Sequence, residues 1–487
     1  MTEPEQHEVV VVGAGFAGLA MAIALRRASA GDVVVLEKAD DLGGTWRDNA
    51  YPGAACDVPS NLYSFSFAPK PDWTHAFARQ PEIWDYLRGV ATDFGVDRLV
   101  RYGTHLTQAR YEQASGSWAL TTATGERLRT RTLVLATGAL SVPAVPDLPG
   151  LRSFGGPVFH SASWPGGDDG LSGKRVAVVG TGASAVQLVP QLAGRVAHQT
   201  VFQRTPSWVM PKLDRRFAAW EKRVYARVPV VQKLVRAGVF ARLESRVLAF
   251  TAHPGAMRAA EAVSRAHLRR QVREPALRAA LTPTYRIGCK RILLSNDYWS
   301  TFERDDVRLV TSPAACVEAS AVVDGYGQRH EVDAIVFGTG FVATEPHPDL
   351  EITGADGRTL NQLWRQAMEG YLGVAVAGFP NLFTLVGPNS TLGHSSMVFM
   401  IERQVEYVVQ ALALRERAGA TAVAVRPDVQ RDFNDEMRRR TAGSVWGTGC
   451  RSWYLDAQGR NRVIWPASVL SYWRRIARLR PSDLELT

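Results

Sequence analysis

The sequence predicts an α/β protein with two Rossmann-like dinucleotide-binding domains, the second carrying a helical insertion. Three observations predict it. A β-branched run, Val9–Val12, leads into Gly13-Ala14-Gly15-Phe16-Ala17-Gly18 and then an Ala/Leu-rich stretch to about Arg27. The same unit returns at Arg175–Ala185, with Gly180 and Gly182 in the loop. In both units a second apolar strand ends on a charged residue 24 positions after the first glycine, Glu37 after Gly13 and Arg204 after Gly180. The 487 residues suffice for two or three cores. The expected boundaries are 1–148 for the first part of one domain, 149–341 for the second, and 342–487 for the return to the first. The insertion is expected at about 212–285.

Composition narrows the class. An apolar fraction of 46% with 21% charge is that of a globular chain. The N-terminus is acidic and polar (Thr2, Glu3, Glu5, Glu8) and does not read as a signal peptide. The most apolar run, Val9–Leu25, is interrupted by glycines and short for a membrane span, so no integral membrane segment is expected. Cys56, Cys289, Cys316 and Cys450 show no Cys-x-x-Cys spacing, which argues against zinc or other metal sites, a disulfide framework and a dithiol centre. A reducing, cytoplasmic compartment is the expectation. Residues 211–280 carry 16 Lys+Arg against 5 Asp+Glu. Apolar residues interrupt these charges at helical spacing, and no nucleic-acid motif accompanies them. A solvated helical face, or steering of an anionic cofactor, is the favoured reading.

In chain order, Val9–Val12 reads as a buried parallel strand. The glycines after it permit a tight turn and let backbone approach a pyrophosphate, and the following helix offers free N–H groups and a positive dipole end. Val33–Leu36 is the second strand, and Glu37 suits the ribose hydroxyls of FAD or NAD. Gly43-Gly44-Thr45-Trp46 then resembles a flavin-contacting turn. Tyr51–Asp57 follows, with an aromatic-rich stretch (Tyr63, Phe65, Phe67, Trp73, Phe77) expected as a packed cap. A helix is expected after Pro81 and a β-meander over 101–131. Leu133–Gly138 is a strand ending in Ala136-Thr137-Gly138, and three prolines mark a linker. Between the glycine units lies Phe154-x-Gly156-x-x-x-His160-x-x-x-Trp164-Pro165. Taken alone, its histidine is more simply a hydrogen-bonded core residue than a catalyst.

In the second unit Ala185 replaces the third glycine. Arg204 stands where the first unit has an acid, and a base there suits the 2′-phosphate of NADP. After the insertion come Gly288-Cys289-Lys290-Arg291 and the strand Ala334–Gly340. Asn381–Asn389, a long helix from about Ser396 to Ala418, the segment Cys450–Tyr454 and a final helix from about Ala467 complete the reading.

These motifs, in this order, resemble the Baeyer–Villiger monooxygenases, flavoproteins related to the flavin-containing monooxygenases. The likeness covers nearly the whole chain, and 154–165 matches that family's fingerprint at every fixed position. It implies that NADPH reduces a bound FAD, that O2 then gives a C4a-peroxyflavin, and that this attacks a ketone to yield an ester or lactone. It implies Arg291 as the cation that stabilises the anions and Asp57 as its partner. Lys290, Arg204 and Thr205 would hold the 2′-phosphate, and Trp453 would belong to a loop closing over the cofactor. The implied cofactor contacts further include Gly13, Gly15, Phe16, Gly18, Glu37, Lys38, Gly44, Thr45, Trp46, Tyr63, Ala136, Thr137, Gly180, Gly182, Ala183 and Ser184. His160 and Trp164 would couple the domains. The partners implied are a ketone and O2, with no nucleic acid. Other readings are an N- or S-oxygenating monooxygenase, an NADPH oxidase, and a flavin redox sensor without turnover. The segment Gly387–His394 departs from the familiar family form, leaving His394 as either core or pocket lining.

Overall fold

A strand apolar on both faces has to be covered on both faces, and Glu5–Val12 sits where that is possible. In the computed structural model it lies between parallel neighbours, Val33–Leu36 on one side and Arg127–Leu135 on the other. Val9, Val10 and Val11 have no exposed surface. The described residues are 3–251, 254–345, 347–448, 452–456 and 458–487.

Around this strand is an eight-stranded sheet. The expected meander is present as Leu106–Glu112, Ser117–Thr122 and Arg127–Leu135, paired antiparallel. Late strands join it. Glu351–Thr353 pairs with the first meander strand and Leu382–Thr384 with the end of Arg127–Leu135. Residues far apart in sequence thus complete one sheet. The helix Phe16–Arg27 packs against Met397–Arg417, the long helix expected near 396–418. Ser396 caps the latter, its hydroxyl accepting from the Val398 N–H.

The second sheet has five parallel strands in the order 307–310, 198–202, 175–179, 334–337 and 158–160. The last of these changes the reading of the fingerprint. Val158–His160 is not a free linker but an edge strand, pairing with Ile335–Phe337. Phe159 meets Trp164 edge to face, with ring centroids 5.0 Å apart. The true crossings lie on either side. Residues 139–146 leave the first sheet and 340–343 return, joined by Ala144 N–H to Gly340 O and Val342 N–H to Val142 O, both 2.9 Å.

The insertion is helical as expected, with Ala219–Arg227, Pro229–Ser245, Val247–Thr251, Pro254–Gln271 and Pro275–Leu281. It is closed by parallel pairing of Val209–Met210 with Leu293–Leu294. The final helix is Val469–Ile476. Beyond it Leu484–Leu486 pairs with Val423–Val425, a short strand pair without a sequence signal.

Among the described residues no helix is long and apolar enough to cross a membrane, and no cluster of His, Cys, Asp and Glu could hold a metal. Cys56 and Cys316 are free, whereas Cys289 is disulfide-bonded. This corrects the inference from cysteine spacing, which detects local pairs and is blind to a bridge between distant segments. Cys450 and Arg451 lie outside the described residues.

Candidate active site

The two glycine loops are built alike. Gly13 has φ +103°, and a Cβ there would sit 2.7 Å from the Ala136 carbonyl oxygen. Gly180 has φ +117°, and its Cβ would sit 2.5 Å from the Gly338 oxygen. Only glycine can hold either position. In both units, therefore, the loop backbone presses on the end of the strand that finishes in Thr-Gly, Ala136-Thr137 in one and Gly338-Thr339 in the other. Gly15 and Gly182 precede their helices, leaving the first N–H groups free. Phe16 starts the first helix and meets Tyr63 edge to face, and Ala183 and Ser184 start the second.

Glu37 is buried at the end of its strand. One carboxylate oxygen accepts from the Ala14 N–H at 2.8 Å, and the other from the Ala39 N–H and the Arg47 guanidinium, both at 3.0 Å. A carboxylate has about four lone-pair sites, so room for ribose hydroxyls remains. Arg47 was not singled out in the sequence, although it directly follows Gly43-Gly44-Thr45-Trp46. Gly43 donates to the Ala14 carbonyl, which brings that turn onto the first loop. A Cβ on Gly44 would lie 3.2 Å from the Gly15 Cα, so the two glycines bring their backbones into close contact. Trp46 donates from Nε1 to the Tyr63 hydroxyl at 2.9 Å. Thr45 and Lys38 are exposed beside this turn.

Tyr51–Asp57 bridges the two domains. Tyr51 and Ala54 are buried in the core of the second sheet and its helices. Gln187, on the helix Ala183–Leu192, clamps the segment. Its Oε1 accepts from the Tyr51 hydroxyl at 2.8 Å and the Ala55 N–H at 3.3 Å, and its Nε2 donates to the Ala55 carbonyl at 2.9 Å. Gln187 carries no sequence signal of its own, since only folding brings it 132 residues back to Ala55.

Two residues beyond Ala55, Asp57 faces two cations. Its carboxylate lies 3.9 Å from the Arg291 guanidinium and 3.6 Å from the Lys212 ammonium. The Asp57 and Lys212 side chains are 10% and 9% exposed, while Arg291 keeps 37% of its side-chain surface open. Asp57 Oδ1 accepts no hydrogen bond among the described residues. Burial alone would lower the Arg291 pKa. The Asp57 carboxylate, with Tyr454 and Cys56 nearby, outweighs it, so Arg291 is held more firmly as a cation than usual. Burial pushes the Cys56 thiol up to about 12, which leaves it protonated and unreactive. Lys212 was not expected in this site. Trp453 packs on Tyr454 with centroids 4.4 Å apart, so its segment does reach the Arg291 neighbourhood.

Arg204 is exposed at the end of the strand His198–Phe202, and the adjacent Gln203 donates to the Ala280 carbonyl of the insertion at 2.8 Å. Lys290 is half-buried with its ammonium 4.8 Å from the Tyr285 ring centroid. Burial and then the positive charge of Arg204 lower the Lys290 pKa. The two cations are thus close enough to repel each other. Thr205 fixes the loop here, its carbonyl accepting from the Thr181 hydroxyl at 2.8 Å.

The fingerprint residues lie against the second sheet and its crossings. His160 is buried, its Nδ1 accepts from the Ala162 N–H, and its ring meets Phe341 of the return crossing at 5.5 Å. A Cβ on Gly156 would come 2.1 Å from the Asp333 oxygen. Phe154 packs in the second core, and Pro165 is exposed. His394 is buried and pairs with Glu244 of the insertion at 3.3 Å, which places it in the core. Next to it, Val386 and Asn389 adopt φ +60° and +54°. For a β-branched residue that conformation costs about 1–3 kcal/mol. Gln404 supports it by accepting from the Val386 N–H at 2.8 Å. This strained segment borders a cleft that also touches Thr137, Gly138, His347 and Trp364. Asp57, Arg291, Arg204 and Lys290 do not line it.

Residues 6–361 match the model of the family described as flavin-binding monooxygenase-like. A Baeyer–Villiger monooxygenase of Streptomyces coelicolor is 46% identical over 98% of this chain and 93% of its own length. One from Pseudomonas aeruginosa is 44% identical over 98% and 90%. The chain belongs to the flavin-binding monooxygenase-like family, on its Baeyer–Villiger branch. Among solved structures, cyclohexanone monooxygenase from Rhodococcus sp. Phi1 bound to NADP+ superimposes with a TM-score of 0.90 at 30% identity, covering the whole of both chains. The enzyme OTEMO in complex with FAD and NADP gives 0.89 at 26%, again over both whole chains. The family therefore supplies the flavin and nicotinamide dinucleotides for which the two glycine loops are shaped.

Proposed function

We propose that this protein is an NADPH- and O2-dependent flavin monooxygenase that inserts one oxygen beside a ketone carbonyl, giving an ester or lactone. The observation that carries the reading is the Arg291 guanidinium, held cationic by Asp57 at 3.9 Å yet partly open to an incoming substrate. A bound flavin, reduced by NADPH, supplies activation of dioxygen. The rest is the work of this chain's residues.

The first unit would hold FAD. Gly13 and Gly18 let the loop pack tightly on Ala136 and on itself, Gly15 keeps the pyrophosphate approach bare with Gly44 close against it, and Glu37 is oriented by Ala14 and Arg47 to accept from ribose. The second unit, within 149–341, would hold NADPH. Gly182 leaves the helix N–H groups for its pyrophosphate, and Arg204 and Lys290 meet the 2′-phosphate, which relieves their mutual repulsion. Arg291 would stabilise negative charge as it develops on oxygen during attack on the ketone. Asp57 orients Arg291, and Lys212 balances the second carboxylate oxygen. His160 and Trp164 would brace the second sheet against the crossings and carry no proton.

A panel of cyclic and linear ketones tests this with NADPH under air, followed by product mass. The expected product is the ketone plus one oxygen, as an ester or lactone. Oxidation of a sulfide or amine with no ketone product would instead favour the N- or S-oxygenating reading. NADPH consumed to peroxide without product would favour an oxidase.

A further inference from the structure

We infer that the helical insertion carries a docking surface for an anionic lipid membrane. The helix Pro229–Ser245 turns one face, partly polar, to the fold. Gln232, Leu243 and Glu244 are buried, and Phe240 stacks on Phe399 of the first domain. The opposite stripe is open. Val230 is 57% and Leu234 68% exposed, and Ala237 and Ala241 continue the line at helical spacing. Lys233 stands exposed within this stripe and Arg242 beside it. The preceding helix repeats the pattern, with Trp220 65% exposed and Arg223 and Arg227 on the same face. Among the described residues, half of the fourteen exposed large hydrophobic side chains lie between 213 and 263, a small part of the chain.

Charge identifies what covers the open side. Between residues 213 and 273, twelve Arg and Lys side chains are exposed and no Asp or Glu is, among the described residues. The four acids of this stretch are largely buried and each is ion-paired, two of them to exposed cations of the same stretch, Arg215 and Arg265. Asp214 pairs with Arg79, Glu221 with Arg215, Glu244 with His394 and Glu261 with Arg286. Cations rising beside Trp, Leu and Val at helical spacing match a lipid interface, where apolar side chains enter the acyl boundary and Lys and Arg meet anionic headgroups. Nucleic acid would use the cations but gain nothing from Val230 and Leu234. Free cofactor steering would likewise leave the apolar stripe unexplained.

The test is co-sedimentation of the purified holoenzyme with extruded vesicles, of phosphatidylcholine alone or mixed equally with phosphatidylglycerol. Binding is expected to the mixed vesicles, weakly or not at all to phosphatidylcholine, and to fall with added salt. Each cation near such a surface contributes about fivefold in partitioning, so K233E/R242E should lower it by roughly 25-fold or more. V230E/L234E should abolish it while the overall charge drops by the same two steps that V230T/L234T avoids. The threonine pair should also weaken binding. None of these residues touches the cofactor loops, so flavin content and NADPH oxidation should be unchanged, which separates lost docking from misfolding. Equal binding to both vesicle types, binding unaffected by V230T/L234T, or an interface-dependent dimer that these variants dissolve would overturn the proposal. So would binding to DNA or RNA that exceeds vesicle binding. The readout needs no turnover, so it is independent of the ketone reaction.

Discussion

Replacing Asp57 by Asn keeps shape and removes one charge, and so isolates what the carboxylate does for Arg291. The two groups are 3.9 Å apart. At an effective dielectric of about 20 their Coulomb attraction is about 4 kcal/mol. Arg291 is more than a third open, and screening at that exposure brings the useful figure to about 2 kcal/mol. Spread over orientation and charge, that is roughly 30-fold in a rate that depends on the guanidinium. The substitution also leaves Lys212 and Arg291 facing a neutral amide, which favours their moving apart. Hydride transfer from NADPH makes no comparable demand on a cation here. Asp57→Asn should therefore reduce the flavin within a few fold of the original rate, in anaerobic stopped flow, yet form ester roughly 30-fold more slowly. Arg291→Ala removes the donor itself and should cost about 10²–10³ in ester formation while still permitting reduction. Ester formed by Asp57→Asn at the original rate would refute the reasoning. An equal fall in reduction and oxygenation would refute it too, because the pair would then serve the fold or the nicotinamide rather than the oxygenation step.

Other outcomes follow from the same geometry. Gly13→Val should yield colourless protein, since its Cβ would meet the Ala136 oxygen at 2.7 Å in a backbone of φ +103°, and absorbance of the purified variant checks this. Arg204→Ala should lower kcat/KM for NADPH by about 10- to 150-fold and leave NADH nearly unchanged. Lys290 has a pKa below the usual lysine value, and a bound phosphate would raise it, so phosphate binding is coupled to proton uptake. The NADPH-over-NADH preference should then decline as pH rises through the lowered Lys290 pKa, and lose that decline in Lys290→Met. Gln187→Ala should loosen the segment carrying Asp57, seen as peroxide released per NADPH rising while flavin reduction is spared. Gln187→Glu keeps two of the three hydrogen bonds and should restore part of the coupling.

What the sequence determined by itself is local chemistry with a strict geometric requirement. Gly13 and Gly180 were legible because only glycine survives positive φ against a carbonyl. The strand Val33–Leu36 and the helix Met397–Arg417 were legible because period and capping are written within a few residues. Glu37 and Arg204 were legible because each is at a constant distance from its glycine along one strand–helix–strand unit. The tertiary structure decided whatever depends on distant segments meeting. Val158–His160 became an edge strand because the Ile335–Phe337 edge, 177 residues on, offered unpaired backbone groups to a short extended segment. Lys212 joined Asp57, and Gln187 joined Ala55, only once the two domains closed on Tyr51–Asp57. His394 was decided by Glu244, which the insertion carries to it across the fold. The exposed stripe on Pro229–Ser245 belongs to the same class. Sequence shows apolar residues at helical spacing among basic ones, but only packing shows which face is left without a protein partner.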